Sequence, residues 1–252
     1  MNSITKDIKK HANDFIIKHY CELLKTAKKN YHPIFYNEIN FDIKFVLWRH
    51  DCDYSLNRAY ELARIENEMN VKSTYFINPH CWYYNIFEKS QTELIMKILD
   101  FGHKIGLHFD ADYYDIKHEN ELDELVALEG KMLESFFDTQ VEVFSFHDPT
   151  EYLLTCEKSE YGGMLNCYSR VFKDKVSYCS DSNGYWRNDR IHDVLKSAKG
   201  KYLQVLTHPG WWLRDVLQPR ERILRAINGR RDNTIKLYDD GLKQFDRENI
   251  SE

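Results

Sequence analysis

The chain has no apolar run approaching the ~20 residues a helix needs to cross a bilayer, so its sequence predicts no helical membrane span. Its opening, MNSITKDIKKHANDF, carries no apolar stretch of signal-peptide length, and a cytoplasmic protein is expected. A basic excess is missing too. The formal net charge is -5, and no Lys/Arg cluster is interleaved with aromatics, so nucleic acid is not an expected partner. Six cysteines (Cys21, Cys52, Cys81, Cys156, Cys167, Cys179) are scattered without one C-x-x-C pair. That excludes a cysteine zinc knuckle and a redox pair, and leaves buried reduced thiols. There is no internal repeat, no low-complexity linker, no glycine-rich phosphate loop and no serine or cysteine nucleophile motif.

What remains is an ordinary globular composition, 42% hydrophobic and 30% charged over 252 residues. This length can bury a large core without staples and suits one α/β barrel. Residues 1–34 read as a helical extension of one or two polar amphipathic helices, with Phe15, Ile16, Ile17, Leu23 and Leu24 as buried positions; residues 35–252 read as one globular domain. Apolar strands are expected at 43–48, 71–77, 104–109, 141–146, 176–179 and 202–206. Between them lie helical patterns: one capped by Ser55 and running to about Asn70, one opened by the capping box Ser90-Gln91-Thr92-Glu93 and ended at Gly102, one over 119–137 and one over 220–245. Such alternation means βαβ units and a parallel sheet, and so many units in one chain favour a barrel or a distorted barrel over an open sheet.

In parallel β/α barrels the reactive groups sit just past the C-terminal ends of strands. Here five strand ends carry acids and histidines: Arg49-His50-Asp51-Cys52-Asp53, His108-Phe109-Asp110-Ala111-Asp112, His147-Asp148-Pro149, Asp181-Ser182-Asn183-Gly184 and Thr207-His208-Pro209. One such ending is commonly a cap; five aim one chemistry at one face. Carboxylates and imidazoles suit zinc, or a harder ion such as manganese or iron. A metal with open positions activates water and polarises a carbonyl, and a leftover carboxylate and histidine serve as base and acid. The set describes metal-assisted hydrolysis of an amide or ester. The 17 Tyr, 14 Phe and 5 Trp are core material first, but any exposed in a cleft would suit the faces of a sugar.

Over roughly residues 43–210 these motifs, in order and spacing, resemble the NodB-type polysaccharide deacetylases, carbohydrate esterase family four. The R-H-D-x-D start is similar to a small bacterial branch associated with surface-polysaccharide synthesis. The resemblance implies a distorted (β/α) barrel, one divalent metal ion, and an acetylated sugar or glycan as partner. It implies Asp51 as general base and Asp53 as metal ligand, with the reverse split open because Cys52 intervenes. His108, ending Gly102-His103-Lys104-Ile105-Gly106-Leu107-His108, matches a metal ligand, and His208 in Leu206-Thr207-His208 the general acid. Where the family places a second ligand histidine, four residues on, this chain has Asp112, which is expected as the third ligand, with Asp110 and His147 as the alternatives. His147 stands where the family has arginine. Asp181 through Trp186 resembles an orienting motif, and Arg49, Asp110, His147, Asp181, Trp186, Arg187 and Trp211 are expected to bind substrate or orient the site. Two alternatives stand beside the deacetylase: a carbohydrate-binding relative without hydrolysis, and a different metal-dependent hydrolase of carbon–nitrogen bonds.

Overall fold

The computed structural model describes residues 11–250; the first part of the expected N-terminal helical segment, residues 1–10, lies outside them. The strands are β1 (His32–Ile34), β2 (Phe45–Asp51), β3 (Thr74–Ile77), β4 (Lys104–Phe109), β5 (Val143–Phe146), β6 (Glu160–Tyr161), β7 (Met164–Asn166), β8 (Ser177–Ser180) and β9 (Tyr202–Thr207). The helices are α1 (Ile17–Asn30), α2 (Leu56–Glu68), α3 (Lys89–Asp100), α4 (Asn120–Phe137), α5 (Arg170–Lys175), α6 (Ile191–Ser197) and α7 (Pro219–Gln244). Among the described residues no helix is long and apolar enough to cross a membrane.

The sheet runs β6-β7-β5-β4-β3-β2-β9-β8, parallel except for the β6–β7 hairpin. β2 is its axis. β9 pairs along its length, from Phe45↔Tyr202 to His50↔Thr207, while on the other side β1 holds its first half and β3 its second. The outer strands β6 and β8 do not pair, so the sheet curls into a barrel left open on one side. The segment around α5 plugs that opening: Cys167, Phe172 and Val176 bury against Phe45, Leu47, Phe76 and Val143 inside the curl. Burying each of these phenylalanines stabilises by about 1.5–3 kcal/mol.

Alternation along each strand sorts the side chains. On β2, Phe45 and Leu47 fill the inside, while Val46 and Trp48 pack outward with α1 and the β9 residues Leu203 and Val205. Gly106 on β4 points inward where a Cβ would stand 2.8 Å from the Phe76 ring and 3.0 Å from the Val143 carbonyl; only glycine lets the strand pass.

The helix boundaries follow local chemistry. Ser55 caps α2, its Oγ accepting from the Arg58 amide at 3.3 Å. The expected capping box at Ser90 is not formed: α3 starts at Lys89, two residues earlier than that box would place it, and Ser90 Oγ donates to Glu88 instead. Gly102, at φ +82°, ends that helix as expected. The expected N-terminal extension is joined to the barrel. α1 buries Tyr20, Leu23, Leu24 and Ala27, and β1 adds a strand. A buried polar network pins α1 and α2 to β2: Glu66 accepts from Tyr20 and from Tyr75 Oη (2.6 Å) and pairs with His50 Nε2 (2.6 Å), while His50 Nδ1 meets Thr207 Oγ1 at 2.7 Å. Burial opposes ionisation of Glu66, but the His50 ring outweighs it and holds the carboxyl down at about 2.

Candidate metal and hydrolytic site

The inward-facing positions at the C-terminal strand ends converge. Arg49, Asp51 and Asp53 follow one another at period two on and just past β2. Arg49 is buried and grips Asp51 with both arms, Nε to Oδ1 at 2.7 Å and Nη2 to Oδ2 at 2.6 Å. Burial alone would raise the Asp51 pKa; the guanidinium, aided by His108, outweighs it and holds the carboxyl below its ordinary range. Asp51 is therefore an anion by construction.

On β4, His108 occupies the register opposite Ser145, whose hydroxyl meets its Nδ1 at 2.8 Å. A metal-bound His108 would donate Nδ1–H there and present the Nε2 lone pair to the site. His147 lies two residues past Ser145, on the same face. Asp148, at φ +38°, turns the chain away immediately after it. Asp53, His108 and His147 bring three ligand atoms together: His108 Nε2 is 3.1 Å from Asp53 Oδ1 and 3.2 Å from His147 Nδ1, and His147 Nδ1 is 3.6 Å from Asp53 Oδ1.

Asp112 is not among them. It sits exposed in the turn after β4, its amide and that of Tyr113 donating to Asp110 Oδ1 (3.2 and 3.3 Å). His147 takes the place beside Asp53 and His108, because sheet pairing brings the end of β5 beside His108 while the Asp110 turn carries Asp112 to the rim.

These residues fit a divalent cation. Asp53 Oδ1 is buried without a hydrogen-bond partner among the described residues. Burial disfavours the Asp53 anion, yet the facing His108 and His147 hold its carboxyl well below the usual range. Burial likewise lowers His147, but Asp53 draws its imidazole up to about 9. A metal binding here would displace the proton that His147 otherwise holds. One carboxylate and two imidazoles are zinc-type donors.

On the opposite flank His208 Nε2 stands 3.6 Å from Asp53 Oδ2. Its Nδ1 is 2.6 Å from Asp181 Oδ1, and Asp181 Oδ2 accepts from the His208 amide (2.8 Å) and Trp212 Nε1 (2.9 Å). Burial works against the imidazolium, but the Asp181 carboxylate outweighs it and raises His208 to about 9. The site thus pairs a carboxylate kept ionised with an imidazole kept protonated.

Arg49 and Asp181 orient Asp51 and His208. Asp110 shapes the β4 turn. Trp211 is buried, packs its ring 4.9 Å from Tyr54 and donates to the Ser182 carbonyl, so it supports the wall instead of offering a sugar platform. Trp186 lies away from the site, stacked on Phe15 and donating to Asp14. Arg187 is exposed and, among the described residues, forms no ion pair; the Asp14 pair belongs to Arg190.

Sequence reasoning missed the strand end after β3. Asn78, His80, Cys81, Trp82 and Tyr83 line, with Asp53, Tyr54 and His147, a cavity of about 360 Å³ beside the cluster. Trp82 is 94% exposed, which for an indole at a cleft rim is a platform for a ring to stack on. His80 is held by Glu129 at 2.6 Å and stacks on Tyr113. The rule that found the other five strand ends would have found this one: Asn78-Pro79-His80-Cys81-Trp82 directly follows an apolar strand.

No family model matches the chain, and no curated protein matches it. Among solved structures it is similar to a family 4 carbohydrate esterase from Bacillus anthracis, at 16% identity over 85% of this chain and 86% of that one, with a TM-score of 0.44. It is similar to the chitin deacetylase of the fungal pathogen Colletotrichum lindemuthianum, at 13% identity over 73% and 81% of the two chains and a TM-score of 0.40. It is also similar to a family 4 pseudoenzyme from Bacillus anthracis, at 14% identity over 77% and 63% and a TM-score of 0.41.

Proposed function

We propose that this chain is a metal-dependent carbohydrate deacetylase of the NodB type that removes an acetyl group from an N- or O-acetylated sugar. The observation that carries the proposal is the arrangement around Asp53, His108 and His147: a carboxylate held ionised on one side (Asp51 by Arg49) and an imidazole held protonated on the other (His208 by Asp181). A divalent ion held by Asp53, His108 and His147, zinc by its donor set, would polarise the acetyl carbonyl and acidify a water. Asp51 accepts the proton of the attacking water, and His208 donates one to the leaving nitrogen or oxygen. Trp82 and Tyr83 take the sugar ring at the rim.

The test is acetate release from a panel of N- and O-acetylated sugars by protein stripped with chelator and then reconstituted with zinc, manganese or iron. The proposal expects release that disappears with the metal and returns with it. Stoichiometric metal without acetate from any substrate would point to a binding protein, and chelator-resistant release would overturn the metal site.

A further inference from the structure

A second cavity, of about 390 Å³, lies on the other side of Tyr54 and Tyr83, which line both it and the cavity beside the metal cluster. Four arginines line it (Arg58, Arg222, Arg225 and Arg230) and no Asp or Glu does. One wall is a single stripe of α7, Arg222, Arg225, Ala226, Gly229, Arg230 and Asn233, spaced as one helical face. Small residues at its middle leave room: a Cβ built on Gly229 meets nothing within 4 Å. The opposite wall is the first turns of α2 and α3, Ser55 to Arg58 and Ser90 with Gln91, whose helix dipoles favour an anion.

Arg222 separates this cavity from an ordinary basic surface. Arg58, Arg225 and Arg230 have carboxylates beside them, Glu61, Asp215 and Glu88, at 2.6, 2.7 and 2.5 Å. Arg222 has none among the described residues. It is 1% exposed, its face lies on the Phe15 ring, and Nη2 donates to the Ala12 carbonyl. Its Nε and Nη1 are buried with no partner among the described residues. Burial lowers its pKa, to about 10, which leaves the guanidinium charged at neutral pH. Buried without a carboxylate partner among the described residues in the first turn of α7, where it opposes that helix's dipole, Arg222 favours an anion in the adjoining cavity through space.

We infer that this cavity binds the phosphate or diphosphate of the substrate, so that the sugar deacetylated at Asp53 is a phosphorylated or diphosphate-linked one draped over Tyr54 and Tyr83. This substrate class rests on the deacetylase proposal, but the anion site does not, and the two are tested apart. In the first arm, inorganic pyrophosphate is titrated into the purified full-length protein by calorimetry. Binding is expected for the wild type, weakened at least tenfold in Arg222→Gln and in Arg225→Gln/Arg230→Gln. The double variant changes side chains that reach solvent, so it tests the cavity even if Arg222→Gln fails to fold. Arg231→Gln, paired with Asp232 outside the lining, should bind as the wild type does. No binding, or equal affinity in the cavity variants, overturns the inference; pyrophosphate held at a site metal would give that second result. Uridine diphosphate and farnesyl diphosphate compete in the same assay: the stronger competitor names a nucleotide or a lipid carrier, and failure of both excludes diphosphate esters.

In the second arm, acetate release from N-acetylglucosamine and its 1-phosphate is compared. The phosphate should lower KM at least tenfold, and the arginine double variant should erase that advantage by raising KM for the 1-phosphate. Acetate from both sugars with equal KM would overturn the substrate class and leave the deacetylase proposal standing. Acetate from neither, with arginine-dependent pyrophosphate binding intact, would count against the hydrolysis and not against the anion site.

Discussion

Replacing Arg49 by methionine keeps much of the side chain's volume and removes the guanidinium. Asp51, 3% exposed, then loses both charge-assisted hydrogen bonds and stays buried. Removing one partner of a buried ion pair costs about 3–5 kcal/mol, because the remaining charge is desolvated and uncompensated. Against a total stability of about 5–15 kcal/mol, that is a large share. With a urea m-value of about 3 kcal/mol/M, the unfolding midpoint should fall by about 1–1.7 M near pH 7.5. The sign of the pH dependence follows from the Asp51 shift. Its folded pKa is lowered, so in the wild type the pairing stabilises above the unfolded carboxyl pKa and is lost only as pH falls through the folded value. In Arg49→Met burial is the dominant remaining influence, and the folded pKa rises. Near pH 5 the buried carboxyl takes up a proton and the penalty is relieved, so the gap between the two proteins should narrow on acidification. Urea melts of both proteins, stripped with chelator, at about pH 7.5 and pH 5 make the comparison. A gap independent of pH, or under about 1 kcal/mol, would refute the claim that Arg49 keeps Asp51 ionised against burial.

Asp181→Asn removes the carboxylate that lifts His208; since a general acid works only while protonated, the basic limb of the pH–rate profile should move to lower pH, and an unmoved limb would detach Asp181 from His208. Asp51→Asn should cost about 10²–10⁴-fold in turnover with metal still bound, and near-normal turnover would remove Asp51 as base. Metal titrations should show at least a tenfold loss of affinity in His147→Ala and none in Asp112→Ala; the opposite pattern would return the ligand to Asp112. Trp82→Ala should leave stability within about 0.5 kcal/mol, as befits an exposed side chain, but raise KM for an oligosaccharide several-fold, and an unchanged KM would exclude the stacking platform.

The strand–helix alternation and the face that carries the chemistry were legible because both depend on local patterns: period two along β2 and β9, period 3.6 along α4. The short β6–β7 hairpin and the helices α5 and α6 were too brief to show a period, and much of the rest that was not legible depends on pairing between distant segments. Nothing local distinguishes His32-Pro33-Ile34 from a loop; it is a strand because β2 offers it a free edge. Asp112 was favoured over His147 by its spacing from His108, as if the chain continued in a helix. The turn at Asp110 breaks that geometry, and the register of β5 beside β4 supplies the imidazole instead. Trp186 and Arg187 follow Asp181 in sequence but leave the site with the chain, whereas Trp211 stays near as packing for Tyr54. The arginine cavity, assembled from α2, α3 and α7, has no sequence motif.

A crystal of the metal-reconstituted protein, with anomalous data collected on both sides of the metal's absorption edge, tests the central claim most directly. One peak is expected, bounded by Asp53, His108 and His147 and flanked by Asp51 and His208. Full occupancy at any other position, or no peak in protein that carries stoichiometric metal in solution, would contradict it.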